Sequence, residues 1–213
     1  MTQSSRKLTK RDATRQKLLE CAGELLVEGN GAFEVATVAA RTGLSVGLSY
    51  HHFGSKNGLI AAVVEDFYDR YDGAAMDGNP LPGAAWPERE RVRVERVVDF
   101  HYRDPLAPVI LSRINREPEV AAVEARRVGR HVALGTENVR LAQLAGLIPK
   151  RLDPNLLVAM MMGGLHQALG AALLRNPRPD RDWLVEEIWS SIAALARLPE
   201  QKPAPKTTKR RPS

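Results

Sequence analysis

The sequence predicts an all-α fold of about nine helices. Apolar residues recur every three or four positions along most of the chain, whereas the alternation typical of strands appears nowhere. Gly, Pro, Ser or Asp stands where most of these segments begin or end, as expected of helix termini. The 213 residues are 44% hydrophobic and 26% charged. This length and composition are typical of a globular protein with a large core, here in two helical units.

The first predicted helix runs from about Lys10 to Glu28 and ends at the glycines of residues 29–31. Its apolar positions fall at helical spacing on one side, at Leu18, Cys21, Ala22 and Leu25. Cys21 is the only cysteine, so no internal disulfide can form, which fits a reducing compartment. Because Cys21 belongs to the apolar side, we expect a buried, unreactive thiol.

Two short helices joined by a glycine-containing turn are predicted next. Thr37 is a candidate cap for the first, which stops at Gly43, where a left-handed backbone conformation suits glycine. Ser45 caps the second, which reaches about Phe53. This arrangement is a helix-turn-helix, whose second helix enters the major groove of DNA. Double-stranded DNA is therefore the expected partner.

A fourth helix is predicted from Lys56, capped by Ser55, to about Asp72. Residues 73–87 are rich in glycine and proline and predict a loop near a domain junction. Later helices are expected over residues 87–102, 105–116, 118–145, 154–174 and 182–198. The predicted units are a DNA-binding domain at 10–55 and a second helical domain at 56–198, joined by the helix that starts at 56.

Positive charge is concentrated at the two ends of the chain. The net charge is +6; six of the lysines and arginines lie in residues 1–17 and five in the last fifteen residues, while the remaining body is slightly acidic. Residues 1–9 and 199–213 are therefore predicted to be disordered basic segments. Such ends suit contact with a phosphate backbone, although a charged tail that is merely solvated has the same composition.

The motif residues also resemble a known family. The run Ala39-Ala40-Arg41-Thr42-Gly43-Leu44-Ser45-Val46-Gly47, then Tyr50-His51-His52-Phe53, then Ser55-Lys56 and Leu59, is similar to the N-terminal signature of the tetracycline-repressor (TetR) family. The resemblance covers about residues 10–65. It implies a homodimeric regulator, most often a repressor released from a palindromic operator by a small-molecule effector bound in the C-terminal domain.

Ten residues are predicted to contact DNA: Thr37, Arg41, Ser45, Val46, Gly47, Ser49, Tyr50, His51, His52 and Lys56. Those at 45–49 on the early turns of the recognition helix are expected to meet base edges, and Thr37 a phosphate at a helix N-terminus. The resemblance implies phosphate contacts for Tyr50 and one of the two histidines, and a phosphate clamp for Lys56. Arg41 and residues 6–11 are expected at the DNA backbone or the minor groove.

The recognition helix departs from the family pattern. The usual order Thr-Leu-Tyr is here Leu48-Ser49-Tyr50, so that a serine replaces the customary core leucine. Leu48 either turns inward or touches a thymine methyl group. Asn57 and Gly58 follow the clamp lysine in place of the usual acid, so no capping box closes the fourth helix. Because the recognition helix contains no arginine or asparagine, phosphate contacts and DNA shape are expected to matter.

The last two predicted helices are expected to form a dimer interface. The helix over 154–174 is apolar nearly all round, so more than one of its faces must be covered. The predicted interface comprises Leu157, Met161, Gly164, Leu165, Ala168, Leu169, Ala172, Trp183, Ile188, Trp189 and Ile192. A two-fold four-helix bundle fits, because paired DNA half-sites require symmetry. A monomer that buries these residues internally is the alternative; a membrane span is disfavoured by His166, Gln167 and the many glycines and alanines.

The second domain is expected to supply a pocket for an effector. Its candidate lining residues are His101, Tyr102, Arg113, Asn115, His131, Met161 and His166. The sequence has no phosphate-binding glycine loop, nucleophile elbow or metal-ligand spacing, so neither enzyme activity nor a cofactor or metal is predicted. The adjacent His51 and His52 point about 100° apart on a helix and make a poor chelate.

Two other functions stay open at this stage. One is an architectural or partner-regulated DNA-binding protein without a small-molecule effector, and the other is a hydrolase or transferase with an incidental helix-turn-helix. Arg6, Lys7, Lys10 and Arg11 occupy the N-terminus, which lacks the apolar core of a signal peptide, so a cytoplasmic protein without a membrane partner is expected.

Overall fold

The computed structural model describes residues 10–112 and 118–199. Over these residues it contains nine α-helices and no strand, which confirms the predicted all-α fold. The helices are α1 (Lys10–Glu28), α2 (Val35–Thr42), α3 (Val46–Phe53), α4 (Lys56–Tyr71), α5 (Trp86–Arg103), α6 (Ala107–Ser112), α7 (Pro118–Leu144), α8 (Pro154–Leu173) and α9 (Arg181–Leu195). A π-helical turn, Asp72–Met76, continues α4.

The N-terminal unit packs α1, α2 and α3 against the first half of α4. Leu18, Leu26 and Val38 are fully buried at its centre. Gly43 ends α2 in the left-handed conformation, with φ of 68°. The hydroxyl oxygen of Ser45 accepts a hydrogen bond from the Leu48 amide, so that the predicted cap of α3 is present.

The predicted cap of the preceding helix is wrong. Helix α2 begins at Val35, after an extended backbone at Glu34, so Thr37 lies inside the first turn. A threonine can cap only where its own backbone is extended. The exposed hydroxyl of Thr37 nevertheless remains near the helix N-terminus.

Helix α4 belongs to both units of the fold. Its first half contacts α1 and α3, and α7 packs extensively along it. Phe67 and Tyr71 on its second half are fully buried, and both rings contact Phe100 and His101 of α5. One continuous helix therefore carries both sets of contacts.

Helix α8 is the one described helix that is long and apolar enough to cross a membrane by length and composition, with a mean hydropathy of 1.6. One side of it, including Leu157, Leu165 and Leu169, is buried in the second unit. Leu156 and Met160 on another side are more than half exposed. The helix therefore serves as a core element on one side and leaves an apolar surface on the other.

Candidate DNA-binding surface and second-domain cavity

Most of the predicted DNA-contacting residues are exposed on α2 and α3. Thr37 on α2 and Ser45, Val46, Gly47, Tyr50 and His51 around α3 are exposed. Val46 and Tyr50, four positions apart on the helix, are 37% and 46% exposed and so lie side by side on its surface. At 100° per residue, positions 46, 47, 50 and 51 fall on one side of α3.

Ser49 lies on the opposite side of α3 and is 2% exposed. Its position is about 160° around the helix from Gly47. The predicted contact of Ser49 with base edges is therefore wrong, because the serine occupies the core-facing position that the family gives to leucine. Its hydroxyl oxygen has no hydrogen-bond partner among the described residues. Leu48 is half-buried, so this burial does not decide between a side chain that turns inward and one that touches a thymine methyl group.

Arg41 is directed back towards α1. Its two guanidinium nitrogens donate to the two carboxylate oxygens of Glu28, at 2.7 and 2.8 Å. This hydrogen bond lowers the pKa of Glu28. Both side chains are substantially exposed, and exposed ion pairs are weak. A phosphate can therefore compete for Arg41, whose DNA contact stays a prediction.

Lys56 lies at the start of α4 with its Nζ 3.1 Å from Oε1 of Glu34. Glu34, which precedes α2, is a neighbour that the sequence did not indicate. The lysine is held in place by the first turn of α4, where the Ser55 hydroxyl accepts from the Gly58 amide at 2.8 Å. A Cβ at position 58 would lie 2.1 Å from the carbonyl oxygen of Phe53. Glycine at 58 thus permits the close approach of α3 and α4.

His52 is half-buried at the end of α3. Burial lowers its pKa first, and repulsion from His51, Arg11 and Arg15 lowers it further. The Arg15 guanidinium lies 5.2 Å from the centre of the Phe53 ring. Positive side chains from α1 therefore adjoin the end of the recognition helix, where they add to attraction for phosphates. The predicted arm over residues 1–9 lies outside the described residues.

The predicted dimer-interface residues divide into two groups. Leu157 and Leu169 are buried within the protomer and line none of the surface pockets described, so their assignment to the interface is corrected. Trp189 lines a second pocket, beside α5, and its place in the interface stays a prediction. A groove of about 320 Å³ between α8 and α9 is lined by other predicted residues, namely Met161, Gly164, Leu165, Ala168, Ala172, Trp183, Ile188 and Ile192. Met160 and Leu195 also line it. In a helix that is apolar on all sides, periodicity does not identify the inner face.

The predicted effector-contacting residues lie in different surroundings. His101 and His131 are 1% exposed, and His101 Nδ1 bonds to the Val97 carbonyl oxygen. The Tyr102 hydroxyl donates to the carbonyl oxygen of Pro179. Met161 lies in the α8–α9 groove. Arg113 and Asn115 fall outside the described residues.

Burial lowers the pKa of His166 to about 4, with further contributions from His101 and His131. His166 is therefore neutral at pH 7. The three histidines lie close enough to interact, although they come from three different helices. The sequence did not indicate this arrangement, because they are 30 or more positions apart.

Asp72, which sequence analysis did not single out, lies at the centre of a buried polar cluster. Its carboxylate accepts hydrogen bonds from His131 Nε2 at 2.6 Å, Arg130 at 2.9 Å and Arg127 at 3.1 Å, all three from α7. Nearby, the hydroxyls of Tyr68 and Tyr71 and Nδ1 of His131 are buried without a partner among the described residues. Burial raises the pKa of both tyrosines, which keeps them neutral.

A cavity of about 450 Å³ opens beside His131. It is formed by α5, α7, α8 and the segment following the π-helical turn, and its lining includes Arg89, Arg93, Arg130, Asn138, Leu134 and Met162. Such a volume is in the range of small-molecule sites. Within the described ranges, no group of three or more His, Cys, Asp or Glu side chains is arranged to hold a metal ion.

Comparison with known proteins gives a consistent result for the N-terminal unit. Residues 18–63 match the family model of bacterial regulatory proteins of the tetR family. No curated protein sequence is significantly similar to the chain.

Solved structures share the fold over most of its length. GusR of Salmonella enterica has a TM-score of 0.72 at 22% identity, covering 90% of this chain and 100% of that one. A protein of Syntrophomonas wolfei described as a TetR-family transcriptional regulator has a TM-score of 0.73 at 14% identity, over 88% and 97% of the two chains. The regulator FadR of Bacillus subtilis, in complex with stearoyl-CoA, has a TM-score of 0.69 at 15% identity, over 83% and 96%. These structural similarities show that the chain shares its overall fold with the three proteins.

Proposed function

Because the chain is a TetR-family transcriptional regulator by its DNA-binding domain, we propose that it is a homodimeric repressor. The dimer binds a palindromic operator and is released from it when a small-molecule effector occupies the second domain. The proposed domains are residues 10–55 for DNA binding and 56–198 for dimerisation and effector binding.

The exposed side of α3 supports the DNA-binding role. Val46, Gly47 and Tyr50 are available to a groove, with Ser45 at the helix N-terminus. We assign base-edge contacts to residues 45–47 and phosphate contacts to Thr37, Tyr50, His51, His52 and Lys56. Few of these side chains form bidentate pairs with one particular base, so recognition relies on backbone contacts and DNA shape.

The apolar outer surface of α8 and α9 supports the homodimer. Leu156, Met160 and Trp183 are each about half exposed or more, and Leu195 extends the same groove region. Contiguous exposed apolar surfaces are common at protein–protein interfaces. Two copies related by a two-fold axis place the apolar residues of each α8–α9 pair against those of the other, and they present two recognition helices to two half-sites.

The second domain supports control by an effector. It contains a cavity next to the end of α4, and the B. subtilis regulator FadR, of the same fold, is in complex with stearoyl-CoA. An effector that binds one conformation better than the other shifts the population towards it, whereas equal affinity shifts nothing. Because α4 joins the cavity to the DNA-binding unit, such a shift changes the spacing of the two recognition helices.

The observation that carries this proposal is that one chain combines an exposed recognition helix with an exposed apolar α8–α9 surface. The test is selection of binding sites from a random DNA pool by the full-length protein at stated salt. We expect an enriched palindrome bound by two protomers, and its genomic positions would identify the regulated genes. Salt-sensitive binding to every sequence without enrichment would contradict a specific repressor and favour an architectural or partner-regulated protein.

A further inference from the structure

Arg89 on α5 is a half-buried guanidinium with no acidic partner among the described residues. It donates to the side-chain oxygen of Asn138, a neutral group on α7. The amide nitrogen of Asn138 in turn donates to Glu90 at 2.8 Å. A cation that is partly removed from water and paired only with an amide is incompletely compensated, so it attracts an anion.

Arg89 faces the 450 Å³ cavity together with two further arginines. Arg93 donates to the carbonyl oxygens of Ala75, Met76 and Gly78, and thereby fixes the segment that forms one wall. Arg130, from α7, pairs with Asp72 and with Asp77 of the same segment. Of the three guanidinium groups in the lining, Arg93 also pairs with Glu90 and Arg130 pairs with two carboxylates, so Arg89 is the one without an ion pair among the described residues.

His131 provides a polar group at the inner side of this cavity. Its side chain is 1% exposed, and Nε2 lies 2.6 Å from a carboxylate oxygen of Asp72. Nε2 therefore carries the proton, and Nδ1 is the ring nitrogen without a partner among the described residues. Leu134 and Met162 add apolar surface to the lining. The cavity combines a cationic group, a buried polar atom and apolar contacts, which together orient a small molecule.

From these contacts we infer that the cavity binds a small organic oxyanion, either a carboxylate or a phosphate ester. The oxyanion pairs with Arg89, and the body of the molecule lies against Leu134 and Met162. This inference rests on the proposed function, because it names the chemical class of the effector.

The same cavity connects the anion to helix α4. Arg130 lines the cavity and is also one of three groups that hold the buried carboxylate of Asp72. An oxyanion competes with Asp72 for this guanidinium, which weakens the attachment of α7 to the end of α4. Because α4 begins at Lys56, this effect reaches the DNA-binding surface.

Calorimetric titration of the full-length protein tests the inference with four probes that differ in negative charge and in whether they carry an apolar ring. Phenylacetate and phenyl phosphate represent the two anion sources, phenylacetamide is the neutral isostere, and inorganic phosphate lacks the apolar body. We expect phenylacetate or phenyl phosphate to bind at least about tenfold more tightly than phenylacetamide and inorganic phosphate, as a charge-assisted hydrogen bond implies. Equal binding of phenylacetamide, or binding of none of the four, would overturn the inference.

Variants locate the site. Arg89→Met removes the charge at similar side-chain length, and we expect it to lower affinity for the preferred anion by about tenfold or more. Arg140→Met, on an exposed arginine of α7 that does not line the cavity, is the matched control and should bind the anion as the wild type does. Circular dichroism checks the fold, and Arg89→Gln replaces Arg89→Met if that variant does not fold. Unchanged anion affinity in a folded Arg89 variant would contradict the site.

A separate measurement distinguishes this inference from the proposed repressor function. Fluorescence anisotropy follows the wild-type protein on its selected operator as the preferred anion is added, and we expect dissociation. Binding of the anion at Arg89 without any change in operator affinity would support the anion site and contradict the proposed release of the operator by an effector. Release of the operator by phenylacetamide but by neither anion would support release by an effector and contradict the inference that the effector is an anion.

Discussion

The buried carboxylate of Asp72 lies 2.6 Å from Nε2 of His131, and this contact joins the end of α4 to the middle of α7. Two arginines of the same helix, Arg127 and Arg130, bind the other carboxylate oxygen. Helix α7 also approaches the opposite end of α4, where Glu119 lies 3.4 Å from the Ser55 hydroxyl. The two helices are thus held together near the cavity and near the DNA-binding unit.

The first prediction concerns the stability of this contact. Asp72→Asn removes a buried negative charge and leaves Arg127 and Arg130 without full compensation, so we expect the free energy of unfolding to fall by about 3 kcal/mol. Urea denaturation measures the change. Asp77→Asn is the matched control, because Asp77 also pairs with Arg130 but is largely exposed; it should change stability by less than about 0.5 kcal/mol. Equal effects of the two substitutions would show that burial at Asp72 is unimportant.

The second prediction concerns the pH dependence of folding through His166. Its pKa is about 4 in the folded protein, against an ordinary value of 6.5 in an unfolded chain, so the unfolded chain binds the proton more readily. This histidine therefore removes stability as the pH falls below 6.5, until the pH reaches about 4. Between pH 7 and pH 5 the expected loss is about 2 kcal/mol. His166→Gln should lose correspondingly less stability over the same interval in parallel urea titrations; identical pH profiles would contradict the assignment.

The third prediction concerns the buried hydroxyl on the recognition helix. Ser49→Ala removes an oxygen atom that has no partner in the described structure. Because a buried unsatisfied polar group is unfavourable, we expect the free energy of unfolding to rise by about 1 kcal/mol, which raises Tm by about 2–4 °C. Thermal unfolding measures the change, and Ser190→Ala on the exposed side of α9 is the control. A lower Tm for Ser49→Ala would indicate that the hydroxyl is hydrogen-bonded.

The fourth prediction tests two effects at Lys56, its attraction for a DNA phosphate and the competition of Glu34 with that phosphate. Lys56→Ala should weaken binding to all DNA sequences and reduce the salt dependence by about one unit of slope. Glu34→Gln should have the opposite effect on affinity, because Glu34 binds Lys56 in the free protein and repels a phosphate there. Anisotropy titrations at several salt concentrations measure both.

Lys150→Ala is the matched control for these DNA titrations, because Lys150 is exposed between α7 and α8 and lies outside the DNA-binding unit. It should leave both affinity and salt slope close to those of the wild type. If Lys56→Ala leaves both quantities unchanged as well, the clamp assignment is wrong. Weaker binding by Glu34→Gln would indicate that the ion pair positions the lysine.

The fifth prediction concerns the dimer. Met160→Glu places a charge on the outer surface of α8, where the side chain is 54% exposed in the protomer. We expect dissociation into monomers at concentrations where the wild type is dimeric, because the charge loses its hydration in the interface. Sedimentation velocity measures the state. Leu81→Glu, at an exposed leucine between α4 and α5, should leave the dimer intact; an unaffected Met160→Glu dimer would place the interface elsewhere.

The sequence by itself determined the helices and the DNA-binding motif. Helical periodicity and the caps Ser45 and Ser55 are local properties of the chain, and both caps are present in the structure. The motif was recognisable because several residue types must follow one another at fixed spacing. The cap at Thr37 was misplaced by three residues, since the N-cap position is Glu34, whose extended backbone permits the helix to begin at Val35.

The tertiary structure decided which surfaces are buried and which distant residues meet. Ser49 is a polar residue that the packing of α3 places inward, and the inner face of the apolar helix α8 is defined by its packing against α5, α6, α7 and α9. Asp72 and His131 are 59 positions apart, and Arg89 meets Asn138 across two helices. Such contacts depend on how helices pack, which is set by the summed burial of many side chains. No local pattern around Asp72 or Arg89 therefore indicates them.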